Sequence, residues 1–398
     1  MNLPVLRLQA KADRRLRGGH LWIYSNEVDI AVTPLKGFQP GEQVVVESAV
    51  GKPLGIAYVN PNTLICARLV SRDVSLQLNK SLLVHRLNQA LSLRQRAFSE
   101  PYYRLVFGEA DGLSGLVVDR FGDYLVVQIS TAGMELVKDE IVAALCQVLK
   151  PAGILFKNDG KMRAVEGLDE YVSEAWGSVP DEVILRENGV EFAAPVREGQ
   201  KTGWFYDHRM NRARVQHYAK GLRVLDVFSY VGGWGVQAAA AGAESVTCID
   251  VSQFAIDQIN ANARRNGVED KVSALKSDAF DALKAMVAEK QRFDMVILDP
   301  PAFIQRRKDV AKGEQAYLRA NQLAMRLLEK DGLLVSASCS MHLQRERLLD
   351  VVRTCGRTLE RHVTLLEQGG QGADHPIHAM ISETDYLKSM IFRVLPAL

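Results

Sequence analysis

Over its first 75 residues the chain alternates apolar and polar positions in short runs, GEQVVVE, PLGIAYVN and LICARLV, with glycine, proline and asparagine between them. A period of two broken by turn residues predicts short strands, and so a small β-barrel or sandwich over residues 1–75. From about Leu76 to Ser99 the spacing becomes helical. GLVVDRFGDYLVVQIS then reads as two strands turning at Phe121-Gly122-Asp123, followed by a helix from about Met134 to Leu149. Residues 76–182 are therefore expected to form an α+β middle domain. In VILRENGVEFAAPV the pair Asn188-Gly189 interrupts two apolar alternations, the signature of a tight hairpin. From Gly221 strands and helices alternate through RVLDVF, SVTCIDV, KVSALKSD, FDMVILDPP and LLVSASCS. Such alternation predicts a Rossmann-like α/β domain, a mainly parallel doubly wound sheet, over 183–398. HVTLLEQ and SMIFRVL have no helix between them and are read as an antiparallel pair closing the sheet edge.

Composition narrows this picture only a little. A chain of 398 residues with 47% hydrophobic and 24% charged residues is ordinary for a multidomain globular protein. No apolar run reaches bilayer length and the start lacks a signal peptide's apolar stretch, so the expected location is the cytoplasm, with no membrane partner. The five cysteines are unevenly spaced and indicate neither a disulfide framework nor a metal site. A net charge of +2 excludes a uniformly basic surface, but arginines cluster at Arg14, Arg15 and Arg17 and again at Arg212 and Arg214. These are the candidate phosphate contacts for a nucleic acid.

Aspartates fall at successive strand ends, where a doubly wound sheet binds its ligand. The turn DVFSYVGGWG follows the first strand, with Gly232, Gly233 and Gly235 leaving room for close backbone approach. Phe228, Ser229 and Tyr230 fill the tight part of that turn, which disfavours a pyrophosphate and so a dinucleotide. A donor bearing a sulfonium and an ammonium suits the negative Asp226. Asp250 is placed to bind ribose hydroxyls, and Asp278, followed by Ala279 and Phe280, to take an adenine amino group. This pattern points to S-adenosylmethionine.

DPPAF and SASCS end the next two strands. The prolines of DPPAF present Asp299 to the crevice, with Phe303 as an aromatic face for a base. A thiolate at Cys339 could attack carbon 6 of cytosine and make carbon 5 nucleophilic enough to take a methyl group, while Asp299 holds nitrogen 3 or shares its proton. Cys66, Cys146, Cys248 and Cys355 lie in apolar or helical contexts and are read as structural.

The segments KTGWFYDHR, DVFSYVGGWG, IDVS, DPPAF, SASCS and ADHP, with GEADGLSGLVVDRFG and the basic start, resemble the RlmI-type large-subunit ribosomal RNA 5-methylcytosine methyltransferases over nearly the whole chain. The resemblance implies a PUA-type RNA-binding barrel, a linking middle domain and a methyltransferase domain acting on large-subunit ribosomal RNA. It implies Cys339 as nucleophile with Asp299 beside the base, and a KTGWFYDHR stretch closing over the donor through Phe205 and Arg209. Val251 and Ser252 of IDVS, and Pro300, join the implied donor contacts. One departure stands out: Ala302 occupies the position after the paired prolines where many RNA cytosine methyltransferases carry a second cysteine, so the base that removes the proton from carbon 5 is unassigned. A sibling group acting on guanine nitrogen 7 lacks the cysteine of SASCS, which makes Cys339 the discriminating residue. Competing readings are an RNA methyltransferase of another base or atom, a non-catalytic RNA-binding assembly factor and, more distantly, a nicotinamide dehydrogenase. A homodimer is left open, and the target nucleotide is not legible.

Overall fold

The computed structural model describes residues 3–397. Contacts divide the chain into two units. The first comprises the chain to Ile184 with Ala194–Tyr206 and Ala373–Thr384; the second comprises Leu185–Ala193, Asp207–Gly372 and the stretch from Asp385.

The first unit begins with β1 (Val5–Arg7), α1 (Asp13–Arg17), β2 (Trp22–Tyr24), β3 (Gln43–Glu47), β4 (Pro53–Val59) and β5 (Ile65–Ser71), in sheet order β1-β3-β4-β5-β2. A bridge between Leu8 and Val28 joins the two ends of this sheet and closes the barrel, which removes its open edges. β1 and β2 have three residues each, too few to show a period, and only the longer three strands were readable. Leu6, Val28, Val44, Val46 and Val59 fill the interior.

Next come α2 (Lys80–Ala97), β6 (Tyr102–Phe107), β7 (Leu116–Phe121), β8 (Tyr124–Ile129), α3 (Ala132–Leu136), α4 (Lys138–Leu149), β9 (Gly153–Asn158), α5 (Met162–Glu166) and β10 (Tyr171–Gly177), with sheet order β10-β9-β8-β7-β6. The helix expected at about Met134–Leu149 is two helices broken at Val137, and α3 packs closely on the barrel, where a Cβ on Gly133 would lie 2.2 Å from the Tyr58 ring. Tyr58 donates to the Ser114 carbonyl at 2.7 Å, and buried Glu166 accepts from Asn60 at 2.8 Å and Arg68 at 2.9 Å. Barrel and middle sheet thus share one buried seam.

Two motif segments from later in the chain are bound to the same unit. Arg94, fully buried, grips both oxygens of Asp111 and donates to the Asp374 carbonyl at 3.0 Å. Arg104 binds Asp119 through two 2.8 Å bonds, and Thr202 donates to the same carboxylate at 2.5 Å. Buried charge is tolerated here because every partner is paired and hydrogen-bonded.

The hairpin β11 (Glu182–Glu187) and β12 (Val190–Pro195) turns through Asn188 and Gly189 with φ of 53° and 79°. The second unit then contains α6 (Arg209–Tyr218), β13 (Arg223–Val227), α7 (Gly235–Ala240), β14 (Ser245–Asp250), α8 (Gln253–Arg265), β15 (Val272–Lys276), α9 (Ala279–Ala288), β16 (Phe293–Leu298), α10 (Val310–Leu327), β17 (Leu328–Ser338), α11 (Arg345–Thr358), β18 (Arg361–Gly369) and β19 (Lys388–Pro396). Their sheet order is β15-β14-β13-β16-β17-β19-β18, parallel through β17 and antiparallel beyond. The chain reverses direction across the sheet between β13 and β16, which opens a crevice at their carboxyl ends. The final pair differs from a simple edge hairpin, since β19 inserts between β17 and β18. Burial explains the order: SMIFRV is mostly apolar and buried except at Arg393, whereas β18 alternates exposed and half-buried residues as an edge strand does. Among the described residues no helix is long and apolar enough to cross a membrane.

Candidate active site

The turn after β13 is held in an uncommon shape. Phe228 and Tyr230 have φ of 67° and 48°, a left-handed conformation costly for bulky side chains and characteristic of functional sites. Ser229 stabilises it by donating to the Asp226 carbonyl at 2.8 Å and accepting the Ile249 N–H at 3.1 Å. Asp226 is fully buried; its Oδ2 accepts the Gly235 N–H at 2.9 Å, while Oδ1 has no hydrogen-bond partner among the described residues. Burial pushes its carboxyl up to about 7, with Asp299 and Asp250 adding to the push. The full negative charge expected from the sequence is therefore only partly present at neutral pH. An orphaned carboxylate oxygen amid other carboxylates calls for a cation, which fits a sulfonium- and ammonium-bearing donor.

Asp250 is aimed by two backbone bonds of 3.0 Å, from Tyr230 N–H to Oδ2 and from Ser252 N–H to Oδ1. Val251 and Ser252 are exposed beside it, and the Ser252 hydroxyl caps α8. Asp278 caps α9, with Oδ1 accepting from Phe280 at 2.9 Å and Asp281 at 3.1 Å; Ala279 is buried behind it. The glycines need a correction. A Cβ on Gly235 would lie 2.5 Å from Cys248 Sγ, and one on Gly232 2.9 Å from Val236, so at both positions the protein's own interior, not a ligand, requires glycine.

At the end of β16, Asp299 accepts from Trp234 Nε1 at 2.9 Å through Oδ2, and its Oδ1 lies 3.1 Å from His208 Nε2. Although burial opposes ionisation, the His208 and Trp234 contacts hold this carboxyl below the usual range. Asp226 and Asp299 are thus pushed apart by their surroundings. Neither His208 nor Trp234 was named from sequence; the only signal was the quoted motifs that contain them. The sequence placed Phe303 as a stacking face for a base, but the ring is half-buried in an aromatic cluster, with centroids 4.9 Å from Tyr317, 6.1 Å from Phe280 and 6.2 Å from Phe228.

Cys339 follows β17, half-buried, with Sγ 4.0 Å from the Pro300 carbonyl oxygen. Its neighbours are anchored: Tyr317 OH lies 2.8 Å from Ser338 Oγ and 2.9 Å from Ser340 Oγ, and Ser340 Oγ accepts the Ile304 N–H at 3.2 Å. These bonds tie DPPAF to SASCS. Cys66, Cys248 and Cys355 are buried and Cys146 half-buried, and in all four burial pushes the thiol up.

The basic candidates divide. Arg14 is exposed, Arg15 pairs with Glu27 at 2.7 Å and Arg17 with Asp13 at 2.6 Å. Arg214 is partly exposed and 3.1 Å from Glu367. Arg212 corrects the expectation of a phosphate contact: it is buried, and both ends of its guanidinium bind Glu187, at 2.5 and 3.0 Å. Arg209 is also buried, 3.7 Å from Glu187, and Phe205, in the first unit, packs under Lys201. Exposed Arg306, Arg307 and Lys308, just after DPPAF, are basic residues that the sequence reading passed over. Among the described residues no cluster of metal-binding side chains occurs.

Sheet order, donor turn and strand-end aspartates together define an S-adenosylmethionine-dependent methyltransferase. The family model of that description matches residues 161–364, and a PUA-like domain model matches residues 6–72. Ribosomal RNA large subunit methyltransferase I of Tolumonas auensis is 34% identical over 395 residues, covering 98% of each chain. The protein of the same name from Erwinia tasmaniensis is 33% identical over 392 residues, covering 96% of this chain and 97% of its own. The chain belongs to the ribosomal RNA large subunit methyltransferase I family, and its methyl donor is S-adenosylmethionine. A solved structure from Streptococcus mutans, titled as a candidate SAM-dependent methyltransferase, shares the fold, with a TM-score of 0.83 at 21% identity over 98% of this chain and all of its own.

Proposed function

We propose that this chain methylates carbon 5 of a cytosine in large-subunit ribosomal RNA, with Cys339 as covalent nucleophile. The observation that carries the reading is the seating of Cys339 Sγ 4.0 Å from the Pro300 carbonyl, beside Asp299, at the carboxyl ends of two adjacent parallel strands. A thiol serves no purpose in direct methylation of a nitrogen or oxygen, whereas carbon 5 of a pyrimidine needs nucleophilic activation.

S-adenosylmethionine supplies an electrophilic methyl group; Asp226, Asp250 and Asp278 are the residues that would hold its cationic, ribose and adenine parts. Cys339 adds to carbon 6 as the thiolate, forming the C–S bond and moving the 5,6 double-bond electrons onto carbon 5, which would take the methyl as the donor's sulfur–methyl bond breaks and leaves neutral S-adenosylhomocysteine. Loss of the carbon 5 proton to a base then restores the double bond and releases Cys339. Asp299, held ionised by its His208 and Trp234 contacts, accepts a hydrogen bond from the cytosine amino group. The RNA substrate is supported by the names of the relatives, the PUA-like match and the exposed Arg14, Arg307 and Lys308.

The test is a 23S ribosomal RNA transcript carrying 5-fluorocytosine. Fluorine on carbon 5 blocks elimination, so the wild type should form a denaturant-stable adduct mapping by mass to the Cys339 peptide. Cys339→Ala should lose methylation yet bind donor normally. A Cys339→Ala protein that still methylates RNA would sink the cysteine mechanism and favour another atom as the target.

A further inference from the structure

Lys388 opens β19, and its Cα is paired with that of Ser338 across the antiparallel ladder to β17. Its side chain is buried, and Nζ donates to the Ser340 carbonyl at 2.6 Å and the Tyr386 carbonyl at 2.9 Å. The lysine therefore brackets Cys339, with its backbone against the residue before it and its ammonium on the residue after it. Buried lysines are rare unless paired with a carboxylate, and these two hydrogen-bond partners of Lys388 are neutral carbonyls.

We propose that Lys388 is a positioning residue whose ammonium, held on the Ser340 carbonyl, stabilises Cys339 as the thiolate. This role rests on the proposed function for its purpose, though not for its physics. The charged and titratable groups that act on the pair are Tyr317 on α10, Arg345 on α11, and Asp385 just ahead of β19. Tyr317 is committed to Ser338 and Ser340, and Arg345 donates to the Gly369 carbonyl at 2.8 Å. Burial lowers the Lys388 pKa to about 8, with Asp385 and Cys339 both acting to retain its proton and Arg345 acting against. At pH 7 Lys388 is thus still mostly the ammonium.

The test is the pH dependence of Cys339 alkylation by iodoacetamide, followed by mass at its own peptide, in the full-length protein. The wild type should show a midpoint below that of an ordinary thiol, about 8.5. Lys388→Gln keeps a donor for the two carbonyls but removes the charge; its alkylation rate at pH 7 should fall about tenfold or more, one unit of thiol pKa. Lys388→Arg should restore most of the rate. Donor binding by calorimetry reports whether each variant is folded. A Lys388→Gln midpoint equal to wild type would reduce Lys388 to a carbonyl cap and overturn the proposal. If the variants do not fold, a wild-type midpoint at or above the ordinary value overturns it unaided, and a lower one supports it. Failure of the cytosine reading looks different: no fluorocytosine adduct forms, yet the Cys339 midpoint still depends on Lys388.

Discussion

Asp226 shows how one residue can cost stability in order to bind. Its carboxyl is buried, half-satisfied and raised to about 7, against about 3.9 for a free aspartate. The unfolded chain ionises it from about pH 4 upward, while the folded chain resists until about 7. The group therefore destabilises the donor-free protein progressively between those values and fully above them. Asp226→Asn should raise the melting temperature at pH 8 by a few degrees, and the gain should shrink as pH falls toward 4. The same variant should bind S-adenosylmethionine at least about tenfold more weakly at pH 8, the loss of a favourable charge contact. In the wild type, donor affinity should rise with pH up to about 7 because binding favours the ionised form. Differential scanning and titration calorimetry measure both, and a variant that neither gains stability nor loses affinity would contradict the assignment. Of the residues named from sequence, Asp250 and Asp278 are oriented by backbone N–H groups of neighbouring positions or of the turn after β13. Arg212 was misread because its partner, Glu187, lies on a hairpin 25 residues upstream.

At the scale of elements, the short α7 is seated so that its first residue touches β14. Gly235 leaves space for Cys248 Sγ, 2.5 Å from where a Cβ would stand, and for Asp226 Oδ2 at 3.0 Å. Gly235→Ala should therefore push α7 off the sheet, at a cost of about 1–3 kcal/mol as for other overpacked cores. It should also weaken donor binding, because the displaced N–H is the one that holds Asp226. Adding Cys248→Ala removes the obstructing sulfur and should recover part of both losses, which chemical denaturation and calorimetry would record. Simple additivity of the two substitutions would contradict this account. Periodicity located nearly all of the longer elements because burial of one face is written into each of them separately. It missed β1 and β2, which are too short, and the break at Val137, where no turn residue interrupts the helical spacing.

At the scale of the whole chain, the buried seam between barrel and middle sheet predicts that residues 1–75 are not a detachable module. A chain starting at residue 76 takes Asn60 and Arg68 from Glu166, leaves it only the Ala132 N–H, and opens to water the middle-domain surface that Tyr58 packs on. Such a truncation should lower the first thermal transition markedly or yield insoluble protein; an unchanged melting profile would show that the seam carries little energy. RNA affinity is accordingly better probed with point charges than with deletions. By itself the sequence determined the order and type of most elements, the α/β class, the donor turn and the strand-end placement of Asp299 and Cys339, because these follow from local periodicity and from the rule that doubly wound sheets bind ligands at their carboxyl ends. Only the tertiary structure decided the insertion of β19 beside β17, the burial of Arg212, the aromatic enclosure of Phe303, the grip of His208 and Trp234 on Asp299, and the placing of Lys388 beside Cys339. Each of these joins residues far apart in the chain, and their pairing depends on which buried charge or ring finds a partner once the sheet has closed, which no local pattern records.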